Sequence, residues 1–248
     1  MRVYIGWDGR DALAFEVCKR SLLEYASIPL EILPLKDWDL RNAGYYWRTY
    51  EVDAQGQRFD HRDGKPFSTD FSFTRFCVPV MEANSPDWVL FQDADMLWRR
   101  DIADLVAEID DSKALMCVQH RHEPPEETKM GGLTLQQAYP RKNWSSLMLM
   151  RPDRIRLSNY DVNNRSGSWL HSMCWLEDDQ IGALDESWNW LSGWSSPEIE
   201  PAIVHFTRGT PDMLGCEDQP YADEWQILAS EVSIAEPTRF HPPAERVA

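Results

Sequence analysis

The sequence predicts an α/β protein, and three observations carry that class. A β-rich run, a helical stretch and a second β-rich run succeed one another at the N-terminus. A later strand, Trp88-Val89-Leu90-Phe91, shows no polar alternation, as a strand covered on both faces should. Further short apolar runs recur along the chain, set apart by helical or polar segments.

Residues 2–6 (RVYIG) form the first expected strand. From Asp11 to about Ala26, Ala14, Val17, Cys18, Leu22 and Tyr25 recur at three- and four-residue spacing, which predicts a helix. Pro29 ends it, and 30–33 (LEIL) predicts the second strand. Residues 37–70 are polar and aromatic, with QGQRFDHRDGKPF fitting either a hairpin or a loop. A helix is expected from about Thr69 to Ala83, stopped by Asn84-Ser85-Pro86. Leu115–Val118 and Leu147–Met150 predict buried strands, with a charged loop at 120–132 between them. Glu177 to Leu184 predicts a helix, Ala202 to Phe206 a last strand, and the proline-bearing tail after Glu236 irregular chain. No repeat or linker divides residues 1–248, so one domain is expected, with an irregular tail from about 237.

Composition bounds the function. With 248 residues, 43% hydrophobic and 12% aromatic, the chain holds enough apolar matter for a sizeable core and is no disordered segment. Lys and Arg number 25 against 41 Asp and Glu, a net charge of -16 that opposes broad contact with nucleic-acid phosphate or anionic lipid. No apolar run of about 18 residues predicts a transmembrane helix. The opening MRVYIGWDGR lacks a signal-peptide core, so a cytoplasmic chain is expected. Five cysteines with no C-x-x-C pair predict thiols in a reducing compartment rather than a disulfide frame or zinc site.

The most informative feature is Asp93-Ala94-Asp95, directly after the buried strand. Ligands of α/β sheets sit beyond the carboxyl ends of strands. Two carboxylates there repel each other unless a hard cation such as Mg²⁺ or Mn²⁺ joins them. Asp37-Trp38-Asp39 is a second D-x-D, expected in a loop. His205 ends another apolar run and is the third candidate ligand; an imidazole beside two carboxylates favours Mn²⁺ over Mg²⁺.

In order, these segments resemble retaining GT-A-type glycosyltransferases of family 8, the group of lipopolysaccharide galactosyl- and glucosyltransferases and glycogenin. Val3 to Asp8, with Gly6, resembles the first strand and uridine-binding turn. Phe73-Thr74-Arg75-Phe76 resembles the helix with a donor-contacting arginine, and Phe91 to Asp95 the D-x-D segment. Glu177-Asp178-Asp179-Gln180 with Trp188-Asn189 resembles the D-Q segment and its downstream W-N. Ile203-Val204-His205-Phe206 with Gly209 resembles the metal-histidine motif. Two departures stand out. The family's diphosphate-binding lysine is missing from Thr207-Arg208-Gly209-Thr210-Pro211, leaving Arg208 as its substitute. The Asn-small-Gly segment appears as Asn143-Trp144-Ser145-Ser146, which makes Asn143 and Ser145 candidates without the glycine.

The resemblance implies a Rossmann-like GT-A domain with a mixed, mostly parallel central sheet flanked by helices. It implies hexosyl transfer from a nucleotide-diphosphate sugar, UDP-linked by resemblance, to a glycan or lipid-linked glycan of the kind found in cell-surface polysaccharide. Asp93, Asp95 and His205 would hold Mn²⁺ or Mg²⁺. Gly6, Asp8, Arg75, Asp93, Asn143 and Arg208 would bind the donor, and Asp179 and Gln180 would lie near the transferred sugar. A haloacid-dehalogenase-like phosphatase also places D-x-D after a buried strand. A non-catalytic sugar or nucleotide binder that kept the fold is the other alternative. A nucleotidyltransferase would call for a Gly-rich phosphate loop, and none is found.

Overall fold

The computed structural model describes residues 1–121, 141 and 143–232, with the backbone of 128–129 and 134–135. Most of the charged loop expected at 120–132, and the tail after 236, lie outside the described residues.

The chain opens as β1 (Arg2–Gly6), α1 (Ala12–Tyr25) and β2 (Glu31–Leu35), the β-α-β unit expected. The polar stretch after β2 holds α2 (Asp37–Asn42), then β3 (Tyr50–Val52), β4 (Arg58–Asp60) and β5 (Pro66–Phe67). These three strands pair antiparallel, which resolves the hairpin-or-loop ambiguity in favour of a small sheet. Asp37-Trp38-Asp39 lies in a helix rather than a loop: Arg41, one turn on, pairs with Asp37 and closes that turn. The helix expected from 69 to 83 is broken into α3 (Phe71–Thr74), a 3₁₀ turn (Arg75–Cys77) and α4 (Val78–Met81). Pro79, which lacks an N–H, sits in the first turn of α4, where that donor is not needed.

Next come β6 (Val89–Gln92), β7 (Met96–Trp98), α5 (Ile102–Ala107) and β8 (Leu115–Val118). β9 (Thr128–Lys129) and β10 (Thr134–Leu135) pair with each other. A 3₁₀ turn at Trp144–Ser146 leads into β11 (Leu147–Met150), succeeded by α6 (Asn159–Asn164) and α7 (Gly167–His171). The segment expected to be helical from Glu177 to Leu184 is instead a 3₁₀ turn, Asp178–Gln180, running into β12 (Ile181–Leu184). A run as short as Ile181–Leu184 serves a strand as well as a helix, and pairing with β8 decides between them. A 3₁₀ turn at Glu186–Asn189, β13 (Trp190–Leu191), β14 (Ile203–His205) and α8 (Ala222–Glu231) complete the fold.

The central sheet has the order β12-β8-β11-β6-β1-β2. β11 alone runs antiparallel to its neighbours, so the sheet is mixed and mostly parallel. Its strands carry the core: Val3, Ile5, Leu90, Phe91, Leu115, Leu147 and Leu149 are all fully buried. A second core of Val17, Leu97, Trp190, Val204, Phe206 and Trp225 lies where α1 and α8 meet the smaller sheet β13-β14-β7.

Candidate metal centre

The site begins at a turn. Gln92, the last residue of β6, is fully buried, with Oε1 accepting from Trp98 Nε1 at 2.9 Å and Nε2 donating to Cys18 Sγ at 3.1 Å. Ala94 is fully buried as well. Asp93 and Asp95, on either side of it in the turn between β6 and β7, are partly exposed, their side chains at 14% and 23%. Two backbone bonds lock them: Asp93 N–H donates to Ser146 C=O at 2.8 Å, and Asp95 C=O accepts from Phe206 N–H at 2.9 Å.

His205 arrives on β14, which pairs antiparallel with β7 so that His205 lies opposite Met96. One ligand atom each from Asp93, Asp95 and His205 lies within 4.8 Å of the others. His205 Nε2 stands 3.3 Å from Asp95 Oδ1, and His205 Nδ1 stands 2.8 Å from Asn189 Oδ1. Two carboxylates and an imidazole converging in this way are a donor set that could hold a divalent metal ion. These three predicted ligands are brought together.

Arg75 joins them through Asp93. It is 5% exposed; its guanidinium forms an ion pair with Asp93 Oδ1 at 2.9 Å and donates to Ser145 C=O at 2.9 Å and Phe71 C=O at 3.1 Å. It braces Asp93. Asp8 is equally occupied: only 1% exposed, it accepts from Arg10, from Arg58 Nη1 at 3.1 Å and from Asp70 N–H at 3.0 Å. Burial would raise its pKa, but Arg10 and Arg58 win and hold it below the ordinary carboxylate value. Its partner Arg10 is 45% exposed and lies between Asp8 and solvent. Gly6 closes β1 against Phe71, whose ring a Cβ would overlap, so packing accounts for that glycine.

Asn143 adopts a left-handed backbone, φ 64°, a conformation Asn tolerates well. Its carbonyl accepts from the Ser146 hydroxyl at 2.7 Å and from Asn189 Nδ2 at 3.3 Å. Ser145, beside it, is 3% exposed and bonds His171 Nδ1 through its hydroxyl at 2.9 Å. Arg208 is exposed on the segment that leaves β14.

Asp179 and Gln180 are not brought to this site. They immediately precede β12, which runs parallel to β8. Gln180 C=O accepts from Ala114 N–H at 2.9 Å and Asp179 C=O from Lys113 Nζ at 2.9 Å, both at the amino ends of those strands. The D-x-D turn lies at the carboxyl end of β6, which is parallel to β8 through the antiparallel β11. The D-Q pair therefore sits at the opposite edge of the sheet. The motif feeds straight into a strand with no helix between, and that fixes its position.

Sequence reasoning missed two residues. Asp11, 8% exposed, carries no chemistry in the motifs quoted. Burial, then the charges of Asp95, Asp8 and Asp212, push its pKa up to about 8. Asn189, fully buried, belongs to the W-N pair, but nothing in its spacing shows that it meets His205. Beside the centre, a cleft of about 540 Å³ opens at the carboxyl ends of β8 and β12, with His120, Glu186, Leu191, Trp194 and Ser195 in its walls. Leu191 pairs with His205 across β13 and β14, so cleft and metal centre share a wall.

No family model matches the chain. Protein CDI of Arabidopsis thaliana is 40% identical over 232 residues, covering 90% of this chain and 84% of that protein. The chain belongs to the Protein CDI family. Among solved structures it resembles the galactosyltransferase LgtC in complex with donor and acceptor sugar analogs, with a TM-score of 0.56, 14% identity, and coverage of 95% of this chain and 98% of that one. It also resembles the glycosyltransferase GlyE of Streptococcus pneumoniae, with a TM-score of 0.55, 14% identity, and coverage of 92% and 60%. The fold of this Protein CDI relative is thus that of the GT-A glycosyltransferases, with the central sheet expected. Among the described residues no helix is long and apolar enough to cross a membrane.

Proposed function

We propose that the chain transfers a hexosyl group from a nucleotide-diphosphate sugar to a hydroxyl of a glycan or lipid-linked glycan, with a divalent cation at Asp93, Asp95 and His205. The convergence of those three side chains within 4.8 Å, on a fold shared with glycosyltransferases, carries the reading. When bound, the cation supplies positive charge to the diphosphate as its bond to the sugar breaks. Mn²⁺ suits the mixed oxygen and nitrogen donors better than Mg²⁺. UDP as the nucleotide, and transfer with retention, rest on the family resemblance.

The chain's own groups divide the remaining work. Arg75 holds Asp93 in place and offsets part of its charge. Arg208, three residues past His205 and exposed, is the cation offered to the diphosphate in place of the lysine that the family resemblance calls for. Trp194 and Glu186 give the neighbouring cleft an apolar face and an acceptor, the pair of features a sugar ring needs. One observation favours a second reading, a binder without turnover: Asp179 and Gln180 stand away from the centre.

A thermal-shift panel of nucleoside diphosphates, each with and without Mn²⁺, tests the donor site. A ligand at about 100 times its Kd stabilises by about 2.7 kcal/mol. No response to any nucleotide refutes the proposal. Asp95→Ala removes the Mn²⁺-dependent part; if that part survives, the ligand set is wrong. Release of UDP from UDP-hexoses separates enzyme from binder, because the binder stabilises with nucleotide and releases nothing.

A further inference from the structure

We infer that Asn189 is a positioning residue that commits His205 to offer its Nε2 lone pair to the cation. This rests on the metal-site reading above. Asn189 is fully buried in the 3₁₀ turn Glu186–Asn189, and its neighbour Trp188 is anchored by Nε1 donating to Glu108 Oε1 at 2.6 Å.

The orientation of the Asn189 amide is set by its surroundings. The Asn143 carbonyl, 3.3 Å from Nδ2, can only accept. The Ser146 hydroxyl gives its hydrogen to that same carbonyl at 2.7 Å, leaving its lone pairs for Asn189 Nδ2 at 2.9 Å. The NH₂ end must face this pair, so Oδ1 faces His205 Nδ1 at 2.8 Å. An amide oxygen only accepts, and Nδ1 therefore carries the hydrogen. In the neutral ring the lone pair is then on Nε2, 3.3 Å from Asp95 Oδ1.

A lone pair facing a carboxylate oxygen is repulsive unless positive charge lies between them. The tautomer that Asn189 selects is thus the one a cation needs, as with metal-bound imidazoles whose other nitrogen donates to a fixed acceptor. The same network ties the two arms of the site together. Ser146, whose hydroxyl holds Asn189, also accepts through its carbonyl from the Asp93 N–H at 2.8 Å.

Asn189→Asp keeps an acceptor for Nδ1–H, whereas Asn189→Leu keeps the size and removes it. Long-range ¹H–¹⁵N spectra of the metal-free protein report the His205 tautomer, with His205→Gln identifying its signals. Mn²⁺ affinity is read by electron paramagnetic resonance. Wild type and Asn189→Asp should show hydrogen on Nδ1 and Kd values within about threefold of each other. Asn189→Leu should lose that tautomer preference and bind Mn²⁺ about 10–100-fold more weakly. Asn189→Ser, too short to reach Nδ1, replaces the leucine variant if that one fails to fold. An unchanged tautomer with Kd within twofold in these variants overturns the inference, and so does equal weakening in Asn189→Asp. A wild type that shows the Nδ1 tautomer but binds no Mn²⁺ refutes the metal reading instead.

Discussion

Arg75→Met separates the two things that Arg75 does. In the metal-free protein its guanidinium is the cation beside Asp93, 2.9 Å away, with the side chains 6% and 14% exposed. Removing one partner of a buried pair costs up to about 3–5 kcal/mol. For a chain of this size each kcal/mol moves Tm by about 2–4 °C, so a fall of up to roughly 6–20 °C is expected without metal. The same change frees Asp93 for Mn²⁺ and takes away a like charge. If Kd tightens tenfold, a cation concentration worth about 2.7 kcal/mol to wild type becomes worth about 4.1 kcal/mol to the variant. Arg75→Lys keeps the charge but not the fork to the Ser145 and Phe71 carbonyls, so it should lose stability with no gain in affinity. Urea denaturation with and without Mn²⁺ measures both effects. A loss under about 1 kcal/mol in the methionine variant, below the range for buried pairs, refutes the brace. A Mn²⁺ increment equal to that of wild type refutes the competition for Asp93.

Asp11 supplies a pH test. Its folded pKa, about 8, lies above the ordinary 3.8, so between those values the folded state binds the extra proton and stability falls as pH rises. Asp11→Asn should flatten that decline and be the more stable protein at pH 8, as urea curves at pH 5 and pH 8 would show; parallel curves count against it. Gly6→Ala should destabilise by about 1–3 kcal/mol through its clash with Phe71, at the head of the helix leading to Arg75. Loss of nucleotide binding with unchanged stability would instead make Gly6 a ligand contact. Asp179→Ala should leave Mn²⁺ affinity unchanged within twofold, since its backbone is anchored at Lys113; a tenfold loss would bring it back to the centre.

How much was legible depended on whether a signal was local. The turn at Asp93 was legible because a strand buried on both faces announces itself, and the residues just past its end stand at the carboxyl edge of the sheet. His205 was legible for the same reason, as the end of an apolar run. Glu177–Leu184 reads as a helix but ends in a strand, because the short run Ile181–Leu184 is too brief to carry a period and only pairing with β8 decides. The place of Asp179 and Gln180 near the transferred sugar rests on the resemblance alone, and the structure sets them at the amino end of β12. Asn189 was illegible because its partner lies sixteen residues away on β14, while Asn189 itself ends a 3₁₀ turn. The break in the helix at Arg75 was half visible in Pro79, but nothing local shows the arginine turning toward Asp93.

The candidate metal centre is finally a matter of register. β14 has three residues, and side chains alternate along it: Val204 belongs to the second core, as does Phe206 just beyond, while His205 faces the carboxylates. A slip of one residue against β7 would turn His205 into that core and carry its neighbours outward. Three residues pair too weakly to fix this alone, so the packing of Val204 and Phe206 with Trp225 on α8 must do it. Trp225 is 1% exposed and far along the chain from any ligand. Trp225→Ala should cost about 3–5 kcal/mol by opening a cavity. It should also weaken Mn²⁺ binding without touching a donor atom. Val204→Ala, a smaller cavity in the same core, should show both losses in reduced and proportionate form. Stability lost with Mn²⁺ affinity intact in both variants would mean that the pairing of His205 with Met96 holds the imidazole unaided, and the second core would then be scaffold alone.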